Sequence, residues 1–188
     1  LYNISHTNLT NLVFADLANN NIEIVDYAFL LRLPNLRILH LENNPLLKMT
    51  SKTTKHIHYA LTHAHSSKTR LSFVHSKLSM FLPRLMFWNT SFCAVKSIEQ
   101  ISFKTMPRIE VLDVRGTAIV SFPFDLFSRS LHLQRVFSSN YRLCCKYLFP
   151  FVLNEIHCSA PHVALPSCKT LLPTDLYTVF FGLSASSA

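Results

Sequence analysis

The chain has 188 residues, 49% of them hydrophobic, and carries a formal net charge of +8. This composition fits one domain with a sizeable core and excludes a disordered chain. Only Gly116 and Gly182 are glycine, which argues against the glycine-rich loops that bind nucleotides.

A repeat with a period of 24 residues organises the chain. It follows the pattern LxxLxxLxLxxNxL, which begins at Leu9 and again at Leu33, and further copies begin at Leu82, Met106 and, more weakly, Ser130. Each turn of such a repeat contributes a short strand with inward leucines, and the turns stack because none can bury its face alone. The pattern predicts an α/β fold, a leucine-rich-repeat solenoid with a curved parallel β-sheet and a short helical or irregular convex side.

Residues 48–81 interrupt this pattern. Leu33 and Leu82 lie 49 positions apart, which is two periods plus one. A strict period places the inward positions of the middle turn at residues that fit poorly: Ile57, Ala60, His63 and His65. We interpret the segment as a basic insertion rich in His, Ser and Thr, or as a degenerate repeat.

The excess positive charge is confined to the same part of the chain. From Asn43 to Ile98 there are eight Lys and Arg residues and no acidic residue, while the rest of the chain balances ten basic against ten acidic residues. A patch of one sign attracts polyanions, so acidic glycans or an acidic lipid surface are candidate partners, and we expect no nucleic acid partner. A solvated segment without a partner is the alternative.

Five histidines in this segment raise the question of a metal site, because neutral imidazole is a common ligand. Their spacing shows no partner carboxylate or cysteine, so we predict no metal ion. These residues are His56, His58, His63, His65 and His75.

Cys93 stands where the first two copies of the repeat have Asn20 and Asn44. Cysteine is an accepted occupant of this position, so we predict a buried free thiol. A buried thiol without a cationic neighbour is inert, and we expect no nucleophile here.

The residues between the inward leucines are expected to line the concave face of the sheet, the usual ligand surface of such solenoids. Apolar side chains can anchor a partner there and carboxylates can select a basic side chain, so we expect a protein or peptide ligand. The residues predicted to bind it are Asp16, Arg37, His40, Glu42, Phe87, Glu110, Asp113, Arg115 and Phe137. A polar concave face without a partner is the alternative.

No arrangement of residues indicates catalysis. The chain has no nucleophile elbow, no HExxH motif and no spaced carboxylate pair, so we predict that it is not an enzyme and uses no cofactor. Glycosylation sequons at Asn3, Asn8 and Asn89 fit a secreted chain. A glycan on Asn89 would cover part of the concave face, so this sequon is either unoccupied or marks a face that is not used.

Four cysteines follow the last repeat: the adjacent Cys144 and Cys145, then Cys158 and Cys168. This position is typical of a disulfide cap that closes a solenoid, and such bridges persist in an oxidising compartment outside the cell. Adjacent cysteines rarely bond to each other, so the crossed and nested connectivities remain. We favour bridges from Cys144 to Cys158 and from Cys145 to Cys168, each worth about 3 kcal/mol. The alternative is a four-thiolate zinc site, which normally needs a spacer between its first two ligands.

The sequence from the fourth copy onward is more specific than the repeat itself. It contains IEVLDVRG at 109–116, LQRVFSSNYRLCC at 133–145, HCSAP at 157–161 and LPSCKTLL at 165–172. These segments resemble the hinge of leucine-rich-repeat-containing G-protein-coupled receptors of the relaxin-receptor-like and invertebrate types. The resemblance is close over about residues 106–185 and covers residues 9–105 only as generic repeats.

The resemblance implies a hormone-binding ectodomain on the extracellular side of the plasma membrane, with a G protein engaged only through a seven-helix domain. It also implies that residues 175–188 open the first membrane helix. The chain then consists of leucine-rich repeats at 1–47, the insertion or degenerate repeat at 48–81, repeats at 82–143, a cysteine-rich cap or hinge at 144–172 and the start of a truncated transmembrane helix at 173–188. The alternative is a secreted or matrix leucine-rich-repeat module that binds proteins.

Overall fold

The structure is a computed structural model that describes residues 9–26, 29–50, 57–74, 82–98, 106–122, 132–140 and 155–158. Its main element is a sheet of seven strands in which every neighbouring pair is parallel. In spatial order the strands are β1 (Phe14–Asp16), β3 (Ile38–His40), β5 (His63–His65), β7 (Phe87–Asn89), β9 (Val111–Asp113), β10 (Arg135–Ser138) and β11 (Glu155–Cys158). Each turn adds one strand beside the previous one, which confirms the predicted leucine-rich-repeat solenoid.

The central residue of β1, β3, β5, β7 and β9, and the second residue of β10, point into a continuous core. These residues are Ala15, Leu39, Ala64, Trp88, Leu112 and Val136. Because side chains alternate along a strand, the residues on either side of each face away from the core. Leucines and isoleucines at the other inward positions of the repeat pack between the turns, so each turn buries its apolar face only against its neighbours.

Outside the main sheet, the described residues contain little helix. Among them, β2 (Ile24–Asp26) pairs in parallel with β4 (Lys48–Thr50), and β6 (Phe73–Val74) pairs in parallel with β8 (Ser97–Ile98). A 3-10 turn at Leu30–Arg32 is the one helical element in the described ranges. The predicted α/β class therefore describes this part of the chain poorly, because short strands stand where helices were expected. Each of these strands satisfies its backbone groups by pairing with the equivalent strand of the next turn.

The described part of the segment that a strict 24-residue period could not fit, residues 57–74, forms a regular turn of the solenoid. His63 of β5 lies opposite Ile38 of β3 and Phe87 of β7. The inward residue is Ala64, one position later than the strict period places it. A shift of one residue exchanges the two faces of a strand. A single extra residue before this turn therefore explains why the 24-residue pattern does not match this segment.

One residue in each turn adopts a left-handed backbone conformation just after the chain leaves the main sheet. These residues are Asn19, Asn43, Lys68, Phe92 and Gly116. Consecutive members lie 24 positions apart, except that Asn43 and Lys68 are 25 apart. The extra residue therefore lies between Asn43 and Lys68. Asn and Gly tolerate positive φ, whereas Lys68 and Phe92 adopt it against their intrinsic preference.

The asparagine position of the repeat joins adjacent turns. Asn44 is 3% exposed, and its Nδ2 donates to the carbonyl oxygens of Leu17 and Leu41, both at 2.9 Å. Its Oδ1 accepts a hydrogen bond from the N–H of Ile22 at 2.9 Å. Since Leu17 and Ile22 belong to the preceding turn, one side chain satisfies backbone groups in two turns.

Later turns fill this position with a thiol or a hydroxyl. The Cys93 thiol donates to the carbonyl of Ser66 at 2.9 Å and lies 3.2 Å from the Thr69 hydroxyl. Thr117 donates to the carbonyl of Val114 at 2.7 Å. The predicted buried free thiol at Cys93 is confirmed, and burial raises its pKa, which keeps the sulfur protonated and unreactive.

His58 occupies an inward position that holds Leu or Met in other turns. It is 4% exposed, its Nε2–H donates to the carbonyl of Leu33 at 2.7 Å, and its Nδ1 accepts from the N–H of Leu61 at 3.1 Å. Both bonds together require the neutral imidazole with its proton on Nε2. Burial lowers the pKa of His58, and the hydrogen bond to Leu33 opposes that shift only in part.

Much of the predicted cap lies outside the described residues, namely Cys144, Cys145, Cys168 and the segment 173–188. The backbone of β11 is described, and it extends the main sheet with Cys158 opposite Ser138. Within the described ranges, no helix has both the length and the apolar character needed to cross a membrane.

Replacing Asn44 with Ala is expected to lower the free energy of unfolding by about 2–4 kcal/mol, because the carbonyl of Leu41 and the N–H of Ile22 lose the hydrogen bonds of this side chain, and the carbonyl of Leu17 keeps only its bond from Asn20. Asn20 is the matched control. It holds the same position in the first turn but is exposed and bonds only to Leu17 and Ala18, so Asn20→Ala should cost less than about 1 kcal/mol. Urea unfolding followed by circular dichroism measures both. Equal losses would contradict the role of this position in joining turns.

The free energy of unfolding should fall as the pH is lowered from 7.5 to 5. The pKa of His58 is lowered in the fold, so below the ordinary histidine value of about 6.5 the unfolded chain binds more protons than the folded one. The variant His58→Gln keeps a donor for the Leu33 carbonyl but cannot titrate, so its stability should depend less on pH. Urea unfolding at both pH values tests this, and equal pH dependence in the two proteins would contradict it.

Candidate functional site

The main sheet has one face against the core, and its other face is the candidate functional surface, here called the open face. Because equivalent residues pair from strand to strand, their side chains form rows across the turns. The central row consists of Asp16, His40, His65, Asn89, Asp113 and Phe137. Asp16, His40, Asp113 and Phe137 of this row were predicted from the sequence to bind a ligand.

His63 and His65 lie on this face although the strict period did not place them there. That period assigned both to inward positions, whereas the structure buries Ala64 between them and pairs His65 with His40 on one side and Asn89 on the other. The signal for the correct assignment was the odd spacing of 49 between Leu33 and Leu82. That spacing requires one extra residue but does not say where it enters.

Aromatic and imidazole rings form a continuous ridge across four turns of the open face. The ring of Phe14 meets His40 edge-on at 5.2 Å between centroids, and His40 stacks on His65 at 4.4 Å. His65 in turn lies 4.8 Å from Phe87, which also stacks on His63 at 5.8 Å. Strands about 4.8 Å apart set nearly this spacing, so equivalent rings on adjacent turns are brought into contact.

Glu42 lies beneath two of these rings. Its Oε1 is 3.3 Å from Nδ1 of His40 and 3.6 Å from Nδ1 of His65. Its Oε2 is buried and accepts no hydrogen bond from the residues that the structure describes. Burial lowers the pKa of His65, with a further contribution from His40, while the Glu42 carboxylate acts in the opposite direction. His65 is therefore a neutral imidazole near pH 7.

Asp113, Arg115 and Phe137 form a second group on the same face. Arg115 donates to both oxygens of the buried Asp113 carboxylate, at 3.0 and 3.1 Å from Nε and 2.6 Å from Nη2. The hydrogen bond with Asp113 raises the pKa of Arg115. The guanidinium carbon also lies 5.4 Å from the centre of the Phe137 ring. Asp113 thus holds a partly exposed cation in place over an aromatic ring.

Three residues of the central row also stabilise the turn that follows their strand. The side-chain oxygens of Asp16, Asn89 and Asp113 each accept the backbone N–H two positions later, at 3.0, 2.9 and 3.1 Å. These turns are typical of Asp and Asn. His40 and His65 occupy the same row without making this bond themselves, which leaves their side chains for other contacts.

Exposed apolar side chains flank the row. Phe92 is 59% exposed, and Phe14 and Val13 are 49% and 47% exposed. The Phe92 ring lies so close to Gly116 that a Cβ there would come within 2.5 Å of the ring. Gly116 therefore lets this ring lie across the next turn.

The nine residues predicted to bind a ligand lie on the main strands or within two residues of them. The structure brings together Glu42 with His40, and Asp113 with Arg115 and Phe137. Arg37 and Glu110 each precede a strand and bond through their backbone N–H groups to the turn before, at Val13 and Met86. Their role in ligand binding stays a prediction, as does that of Asp16 and Phe87.

Of the three sequons, Asn3 and Asn8 lie outside the described residues. Asn89 is half-buried on β7, where its Oδ1 accepts the N–H of Ser91. Glycosylation at any of these positions remains a prediction.

Comparison with known proteins identifies no family. No family model matches the chain, and no curated protein sequence matches it. Among solved structures, the chain is similar to a leucine-rich-repeat protein of Leptospira interrogans, with 16% sequence identity and a TM-score of 0.49. That alignment covers 88% of this chain and 42% of the other, so this chain spans less than half of the other protein's length.

Proposed function

We propose that this chain is a protein- or peptide-binding module whose ligand surface is the open face, and that it is not an enzyme. The observation that carries this proposal is the ridge formed by Phe14, His40, His65 and Phe87, with ring contacts between 4.4 and 5.2 Å along its length. Stacked rings offer a rigid contact area that loses little conformational entropy on binding. Phenylalanine and other aromatic residues, together with arginine, are enriched at protein interfaces.

Phe92 adds a second argument. It is a bulky, exposed side chain with positive φ, a backbone conformation that costs of order 1–3 kcal/mol for such a residue. The positive φ belongs to the repeat, since each turn has one such residue at this position. The large exposed ring of Phe92 at that position is what a contact with a partner would account for.

The charged groups suit a partner of mixed polarity. Asp16 is an exposed carboxylate at one end of the central row, and Arg115 is a fixed cation near the other end. Charges at fixed positions around an apolar ridge determine the orientation of a bound partner more than they raise its affinity. The basic segment between positions 43 and 98 adds acidic glycans as a second class of candidate partner.

The receptor context is a finer proposal that rests on the sequence resemblance alone. On this proposal the chain is the ligand-binding extracellular part of a hormone-type G-protein-coupled receptor, and signals only when joined to a seven-helix domain. A secreted or matrix binding module is the alternative. Both require an oxidised cap in which Cys144 and Cys145 are bridged to Cys158 and Cys168.

Peptides selected from a displayed random library against the native chain test the binding role. We expect Phe92→Ala to weaken the selected peptides at least about tenfold, as loss of an interface anchor does. Leu47→Ala is the control, because Leu47 is 49% exposed but lies beside β4, away from the open face; its effect should stay below about twofold. Fluorescence anisotropy measures the affinities, with circular dichroism to establish folding. Peptides that bind both variants like the wild type would contradict the proposal.

Alkylation with iodoacetamide tests the oxidised cap. Without reductant, Cys93 should be unreactive in the native chain, since it is buried with a raised pKa, and should become the one modified cysteine after denaturation. Tryptic peptides 143–146 and 147–169 should then be linked, since the first holds the adjacent cysteines and the second holds Cys158 and Cys168. Mass spectrometry detects both results. Five modified cysteines in the denatured chain would contradict an extracellular location.

A further inference from the structure

The group formed by His40, Glu42 and His65 has the composition of a metal site. One ligand atom from each of the three side chains lies within 4.8 Å of the others, and the structure shows one such cluster among the residues it describes. Two imidazole nitrogens and a carboxylate oxygen are ligands that Zn²⁺ accepts in proteins, with an open fourth position in many sites. The group is also partly exposed, with 29%, 18% and 22% of the three side chains accessible.

The distances fit a single small ion. Ligand bonds of about 2.0–2.1 Å in a tetrahedral arrangement separate neighbouring ligand atoms by about 3.3 Å. Glu42 Oε1 lies 3.3 Å from His40 Nδ1 and 3.6 Å from His65 Nδ1. The imidazoles are stacked with 27° between their planes, so binding requires each ring to turn about its Cβ–Cγ bond until both Nδ1 lone pairs converge.

The buried carboxylate oxygen of Glu42 is an independent argument for a bound metal ion. Glu42 Oε2 is buried and accepts no hydrogen bond from the described residues, and an uncompensated buried carboxylate oxygen is costly. A divalent cation at Oε1 compensates the charge of the whole carboxylate.

We propose that His40, Glu42 and His65 bind one divalent transition-metal ion, with Zn²⁺ the best match. Soft thiolate ligands are absent from the group, and imidazole with carboxylate suits Zn²⁺ better than Ca²⁺ or Mg²⁺, which prefer oxygen ligands. Three protein ligands leave a fourth coordination position that a water molecule or a side chain of a bound partner can occupy, so the site stands whether or not the protein-binding role does.

Titration of the 188-residue chain with ZnCl₂ tests the proposal by isothermal titration calorimetry. Prior treatment of the native protein with iodoacetamide blocks accessible thiols, which would otherwise compete for the metal. We expect one ion per chain, and at least about tenfold weaker binding in Glu42→Gln and His65→Gln. His63→Gln is the matched control, because His63 lies on the same strand but outside the group; its dissociation constant should change less than about threefold. Co²⁺ in place of Zn²⁺ should give visible absorption bands in the wild type and in His63→Gln.

Three results would overturn the metal site. They are no saturable Zn²⁺ binding by the wild type, unchanged binding in both Glu42→Gln and His65→Gln, or an equal loss in His63→Gln. Any of them would leave the group as a hydrogen-bonded cluster only. Where a variant fails to fold by circular dichroism, NMR of the wild type decides: Zn²⁺ must shift the imidazole signals of His40 and His65 and leave those of His63.

Discussion

The whole molecule depends on keeping equivalent residues of successive turns side by side. A short three-residue strand has too few hydrogen bonds to hold itself, so it survives only in a ladder whose neighbours are in register. The position occupied by Asn44, Thr69 and Cys93 holds that register from inside, because each of these side chains bonds to a group in a neighbouring turn. The sheet, the core and the open face all follow from this alignment.

This dependence explains how the fold accommodates the turn built around β5. Its extra residue is absorbed between turns, so the strand itself keeps its place opposite Ile38 and Phe87. The cost appears in the core, where His58 stands at an inward position. It is tolerated because both of its ring nitrogens find backbone partners, at Leu33 and Leu61. A polar residue inside this solenoid is thus compatible with burial when its hydrogen bonds are complete.

The same alignment creates the chemistry of the open face. His40 and His65 are 25 positions apart in the chain, yet their rings stack at 4.4 Å and share the carboxylate of Glu42. Asp113 and Arg115 are close in sequence, but burial of Asp113 turns their pair into a support for a cation over Phe137. Asp113 and Arg115, which were predicted from the sequence as separate ligand contacts, therefore form an ion pair with each other.

The sequence by itself determined the solenoid, its five recognisable turns and the buried thiol at Cys93, because the inward positions recur at a constant period and burial tolerates few residue types there. The same period predicted most residues of the open face. Only the tertiary structure decided the face on which β5 presents His65, because one extra residue reverses the inward and outward sets and the local sequence does not locate it. Only the fold, likewise, brought His40, Glu42 and His65 together, since their contact spans two turns and depends on the distance between strands.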